Sequence, residues 1–133
     1  MKIMWIEDYS GEIPMSHCPE HLCEEGTWED KDYNYRLNTC DEILVLVHND
    51  TIIGHMGLRD SVIRAVAIDE QYQGQGLSYK FYEYVFNFYE WVHSDDAREP
   101  VATYIWKKLQ KQYPNQITYD KQKDQFKWSK SGD

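Results

Sequence analysis

Residues that could do chemistry concentrate where an apolar run, Val62 to Ile68, gives way to a polar loop and then to an amphipathic segment opened by Gly76. Gln73, Gly74, Gln75, Gly76, Leu77 and Ser78 place two glycines where a strand turns into a helix. Bare backbone there can approach a ligand closely, and the free N–H groups of the helix start point outward at the positive end of its dipole. The arrangement predicts an anion site, most simply for phosphate. It is not the dinucleotide fingerprint, which needs G-x-G-x-x-G and an acidic residue roughly twenty positions on, nor a P-loop, which needs G-K-[ST]. A tight turn requiring positive φ is the plainer account of the glycine pair taken alone.

A second cluster, His17-Cys18-Pro19-Glu20-His21-Leu22-Cys23, is rich in metal-ligating types, and Cys18, His21, Cys23 and Cys40 invite a zinc reading. The spacing fits no standard finger, and the second close pair of ligands is absent. We expect no metal here, but reduced buried thiols and solvent-facing histidines.

The elements that must position these residues follow from periodicity. Val62 to Ile68 is a β-branched run of strand length, and Leu77, Phe81, Val85 and Phe88 recur at helical spacing, which predicts a helix with one buried face. Upstream, Lys2 to Ile6 reads as an edge strand. Glu42 to Val47 and Thr51 to Leu58 flank the turn His48-Asn49-Asp50 and form a hairpin. Between Glu7 and Asp41, start signals at Ser16 and at Thr27, with Asp30 three residues later, predict two short helices. Downstream, Tyr89 to His93 is a short strand. Pro100 opens a helix striped by Val101, Ile105 and Leu109 and ending near Gln112, and Gln116 to Asp120 with Gln125 to Lys130 form a closing hairpin.

At 133 residues the chain is expected to be a single domain, 1–133. No window approaches the roughly twenty apolar residues of a membrane helix, and MKIMWIEDYS lacks the apolar core of a signal peptide, so the expected setting is cytoplasmic, without membrane contact. The net charge of −9 is uneven: residues 107–133 hold seven Lys and three Asp, leaving −13 on the rest. An acidic body repels nucleic acid and would attract a cationic or amine-bearing acceptor, although acidity by itself usually means only solubility.

The loop with its flanking elements resembles motif A of the GNAT superfamily of acyl-CoA N-acyltransferases, Q/R-x-x-G-x-G/A. Gln73 matches the first position and Gly76 the fourth, while Ser78 stands where the family prefers Gly or Ala. Tyr72-Gln73-Gly74 is similar to the Tyr-Arg-Gly that opens the family's loop, and Ile68-Asp69 to the end of its fourth strand, with Glu70 in place of a proline. Three consecutive strands before the loop match the family's second to fourth strands. The resemblance implies an α+β fold: a mixed, mostly antiparallel sheet with a splayed centre, flanked by helices.

The resemblance also implies a function, acetyl transfer from acetyl-CoA as co-substrate to a primary amine of a small molecule or protein. Main-chain groups of Val66, Ala67 and Ile68 would pair with the pantetheine amides, and the loop from Gln73 to Ser78 would hold the pyrophosphate. Trp28, Tyr33 and Tyr35 would line or lid the acceptor site, or else fill a thin core. The family's acid, a Tyr four residues after an Ala, aligns with Trp106 after Ala102. An indole N–H is too weak an acid to replace a phenol. Tyr104, two residues away and about 200° round the helix, takes that role only if the helix is rotated. For the general base, His93 ranks first because the family's fourth and fifth strands splay to admit the thioester; Asp60 and His55 follow. The chain is also similar to small acetyltransferase-like proteins carried by bacteriophages, which implies a second function: docking onto a host protein with little or no catalysis.

Overall fold

The computed structural model describes residues 1–23, 31–95 and 100–132. Thr27, Trp28 and Asp30 lie outside the described residues. Seven strands form one sheet in the order β1-β2-β3-β4-β5-β7-β6. They are β1 (Lys2–Trp5), β2 (Glu42–His48), β3 (Thr51–Arg59), β4 (Val62–Ile68), β5 (Trp91–Ser94), β6 (Ile117–Asp120) and β7 (Gln125–Ser129). The three described α-helices are α1 (Lys31–Asn38), α2 (Leu77–Phe88) and α3 (Pro100–Gln112). Every strand pair is antiparallel except β4 with β5.

The two hairpins β2-β3 and β3-β4 close through Asn49-Asp50 and Asp60-Ser61, all four at positive φ. Such two-residue turns match the twist of the strands they join, and Asn and Asp tolerate the conformation best. One sheet face carries α1 and a core of Tyr33, Leu37, Ile43, Val45, Ile52 and Ala65. The other carries α2 and α3 over Leu44, Met56, Leu58, Phe126 and Trp128.

Three sequence expectations change. The helix expected from Ser16 is a single 3-10 turn, Met15–His17. Cys18 precedes Pro19 and is extended, as a residue before proline prefers, so the helix cannot propagate. On α2 the buried residues are Leu77, Phe81, Tyr82, Val85 and Phe86, whereas Phe88 is 59% exposed. On α3, Trp106 joins Ile105 and Leu109 in the core, and Val101 faces out. On α3 the indole of Trp106 offers the sheet more apolar area than Val101, and on α2 the buried face is turned toward Tyr82 and Phe86, which leaves Phe88, the last helical residue, outside it.

The centre of the sheet opens into a fork. Strands β4 and β5 share register only at Val62↔His93 and Ile63↔Ser94, after which β4 runs on to Ile68 while β5 ends. Two features drive them apart. Arg64 is an extra residue on β4, because Ile63 faces Leu58 and Ala65 faces Gly57; such a bulge bends its strand. The end of β5 is meanwhile tied to β7: Ser94 Oγ accepts from the Phe126 N–H at 2.9 Å and the Ser94 carbonyl from Gln125 Nε2 at 2.9 Å.

Candidate binding cavity and buried histidine pair

Beyond the fork lies a cavity of about 650 Å³, within the usual range for small-molecule sites. Its walls come from β4 (Ile63 to Ile68), the glycine loop with the start of α2, one face of α3, and Tyr33 and Arg36 of α1. It is thus lined from both faces of the sheet. Arg64 Nε and Asp95 Oδ2 approach to 3.6 Å across the open end.

The glycine loop borders this cavity. Gly74 and Gly76 have φ of 80° and 73°, conformations that glycine adopts without the penalty of a Cβ. Gly76 is the N-cap of α2 and makes no side-chain capping bond. The first N–H groups of α2 have no intrahelical partner, so the turn offers donors to an anion. A Cβ at Gly74 would meet nothing within 4 Å, so the backbone there is open to an approaching group. Gln73 Nε2 donates to the Ile68 carbonyl at 2.9 Å and braces the loop against the end of β4.

Of the sequence-predicted site residues, Val66, Ala67, Ile68, Gln73, Gly74, Gly76, Leu77, Ser78 and Tyr104 line the cavity together. Gln75 is not among the lining residues, and neither is His93. His93 sits at the joined end of the fork, in register with Val62 and Lys127. Burial, and then Lys127 and Lys123, push its pKa down. Tyr104 is 64% exposed at the cavity mouth. Trp106 is buried, edge-on to Tyr82 at 5.5 Å and stacked on Phe126 at 5.8 Å.

In the N-terminal segment His21 is solvent-facing as expected, whereas His17, Cys18 and Cys23 depart from the expectation. Cys18 and Cys23 are joined by a disulfide. The N–H groups of Leu22 and Cys23 both return to the Pro19 carbonyl, and this turn brings the two cysteine Cα atoms within 6.0 Å. Cys40 is a buried free thiol. His17 is buried rather than solvent-facing, because the 3-10 turn that ends on it lies against β3.

There His17 meets a second buried imidazole. His17 Nε2 lies 2.6 Å from Asp69 Oδ1, His17 Nδ1 lies 2.7 Å from His55 Nδ1, and His55 Nε2 lies 2.6 Å from the Tyr33 hydroxyl. Burial depresses the pKa of His17 against the opposing pull of Asp69, and burial followed by the neighbouring His17 depresses that of His55 further. Both rings are therefore neutral near pH 7. With Asp69 ionised, one arrangement satisfies all three contacts: Tyr33 O–H donates to His55 Nε2, His55 Nδ1–H to His17 Nδ1, and His17 Nε2–H to Asp69. Tyr33 lies at the cavity and in the core, the two places its sequence position implies, but no local signal pairs two histidines 38 residues apart or joins them to Asp69.

No family model matches this sequence, and no curated protein matches it. Solved structures do match in fold. A GNAT family acetyltransferase from Elizabethkingia anophelis, with acetyl-CoA bound, is 15% identical with a TM-score of 0.57, covering 96% of this chain and 97% of its own. The protein of the KacTA–DNA complex is 12% identical at 0.63, covering 98% and 93%. A mutant AtaT toxin bound to the C-terminus of its antitoxin AtaR is 11% identical at 0.59, covering 98% and 92%.

Proposed function

We propose that this chain, which has the fold of the GNAT acetyltransferases, is one acyltransferase domain spanning residues 1–133 that moves an acetyl group from acetyl-CoA to a primary amine of a small molecule or protein. The observation that carries this reading is the fork. From Arg64 to Ile68, β4 has no strand beside it on its β5 side, and that bare edge leads directly to the open N-terminus of α2. An extended amide-bearing arm ending in a pyrophosphate has the shape and hydrogen-bonding pattern of this channel.

In this reading, main-chain groups of Val66 and Ala67 pair with the pantetheine amides, and Ile68 contributes beside a carbonyl already shared with Gln73. The N–H groups from Gly74 to Ser78 receive the pyrophosphate. The amine enters from the α1 side, past Tyr33 and Arg36. Tyr104 at the mouth protonates the departing thiolate, because Trp106, which also lines the cavity, carries no acidic hydroxyl. Holding amine and thioester together in one cavity supplies much of the rate, since positioning converts a bimolecular step into an effectively unimolecular one.

The test is calorimetric titration with acetyl-CoA of the wild type and of Gly76→Asp. Asp tolerates positive φ and is a good N-cap, so the fold is retained while the carboxylate repels the pyrophosphate. Micromolar binding by the wild type and its loss in the variant is expected. Absence of wild-type binding sinks the reading.

A second reading, docking onto a macromolecule such as a host protein, draws on the core position of Trp106 and on the toxin–antitoxin complex among the similar structures. A stoichiometric partner captured without acetyl-CoA, by wild type and Gly76→Asp alike, would favour it.

A further inference from the structure

We propose that Tyr33, His55, His17 and Asp69 form a proton conduit from the cavity to solvent, with Tyr33 as the catalytic residue that receives the proton of the incoming amine. The inference rests on the acetyl-transfer reading and adds the group that reading lacks.

An amine must lose its proton before its lone pair can attack a thioester. Among the described residues lining the cavity the only carboxylate is Asp95, which faces Arg64, and there is no histidine. Tyr33 does line it, and its hydroxyl is the first member of the hydrogen-bonded chain. The two imidazoles that follow are wholly buried, and the last member, Asp69, is 31% exposed and does not line the cavity. The chain therefore runs from the cavity wall through the sheet's α1 face to the surface beside the glycine loop. Four separate segments supply it: α1, β3, the turn before Cys18 and the end of β4. Each link is 2.6 to 2.7 Å long.

Donors and acceptors alternate in one direction along it, so one concerted shift moves a proton end to end. The ammonium of the acceptor gives a proton to Tyr33 Oη as the Tyr33 proton passes to His55 Nε2. The His55 Nδ1 proton then passes to His17 Nδ1, and the His17 Nε2 proton to Asp69, which releases it to water. The amine lone pair then forms the C–N bond, the C–S bond breaks with its electrons on sulfur, and the second amine proton ends on that sulfur. The conduit is no proton sink, so low-pKa imidazoles serve it. The Arg36 guanidinium, 5.5 Å from the centre of the Tyr33 ring, favours the electron-rich phenol oxygen as its proton leaves.

The test uses the full chain with acetyl-CoA and three amines (spermidine, glucosamine and a lysine-bearing peptide), following CoA release. Tyr33→Phe keeps the ring and removes the hydroxyl; kcat should fall on the order of 100-fold, with KM for acetyl-CoA within about threefold. Asp69→Asn keeps an oxygen for the His17 Nε2–H but takes no proton, so a merely structural bond survives; kcat should still fall about tenfold. The curved dependence of kcat on deuterium content that a multi-proton step gives should become linear in both variants. Histidine nitrogen NMR of the wild type should find the proton on Nε2 of His17 and Nδ1 of His55. Unchanged kcat in Tyr33→Phe, or the opposite tautomers, overturns the conduit and leaves acetyl transfer standing. Wild-type protein that acetylates none of the amines overturns acetyl transfer, and the conduit's role with it.

Discussion

The side chains nearest the N-terminus change meaning once their surroundings are known. Cysteine chemistry shows it most simply. Cys18 and Cys23 are spent on each other, and Cys40 donates to the Arg36 carbonyl at 3.2 Å in a buried site. Burial, the largest influence, pushes the Cys40 thiol up to about 12. At pH 8 its thiolate fraction is then on the order of 10⁻⁴, and the thiolate is the reactive form. The expected outcome of a thiol titration without reductant is no reactive group in the native protein over minutes and one in denaturant. Three in denaturant would mean that the disulfide does not form.

At the scale of elements, helix α2 has two tasks. Its start presents the N–H groups of the glycine loop, and its buried face fixes that start against the sheet. Phe81 is fully buried, and Phe86 stacks on Trp128 of β7 with ring centres 4.7 Å apart. Phe81→Ala should cost about 3–5 kcal/mol, from lost transfer energy plus an unfilled cavity. Phe88→Ala, at an exposed position of the same helix, should cost under about 1 kcal/mol. Chemical denaturation of the two variants compares them directly. Equal losses would mean that α2 is rotated relative to the face described. The fork has its own local cause, since the Arg64 bulge and the hooks from Ser94 to β7 turn two adjacent strands away from each other.

Across the whole molecule two electrostatic effects oppose one another as pH falls. The net charge of −9 disfavours the compact state through self-repulsion, and titrating carboxylates eases that. The buried histidines act in the other direction. Both have folded pKa values below the ordinary 6.5, so between those values and 6.5 the unfolded chain binds more protons. Their contribution is present above about pH 6.5 and is lost as pH falls through the folded values, at up to about 1.4 kcal/mol per pH unit for each histidine. The pair should win, because its slope exceeds the diffuse effect of screened surface charge. Thermal unfolding between pH 7.5 and 5.5 should show Tm nearly level down to about pH 6.5 and falling below it. A flat or rising Tm would contradict two buried neutral rings.

Much of this protein follows from local pattern. Strands β2, β3 and β4, the glycine loop, α2, α3 and the closing hairpin are legible because periodicity, turn residues and helix starts act over a few neighbours. The anion-binding character of Gln73 to Ser78 is legible for the same reason, since it depends on backbone conformation at two glycines. Three things were decided only by the tertiary structure. Which helix residues are buried depended on where large aromatics could reach the sheet, which brought in Tyr82, Phe86 and Trp106 and left out Phe88 and Val101. Whether the cysteines would pair depended on a turn around Pro19 that closes on itself. The chain from Tyr33 to Asp69 depended on α1, β3, a proline-stopped 3-10 turn and the end of β4 converging on one spot. Hydrogen bonds between residues tens of positions apart leave no periodic trace, because nothing in the sequence near either partner has to change for them to form.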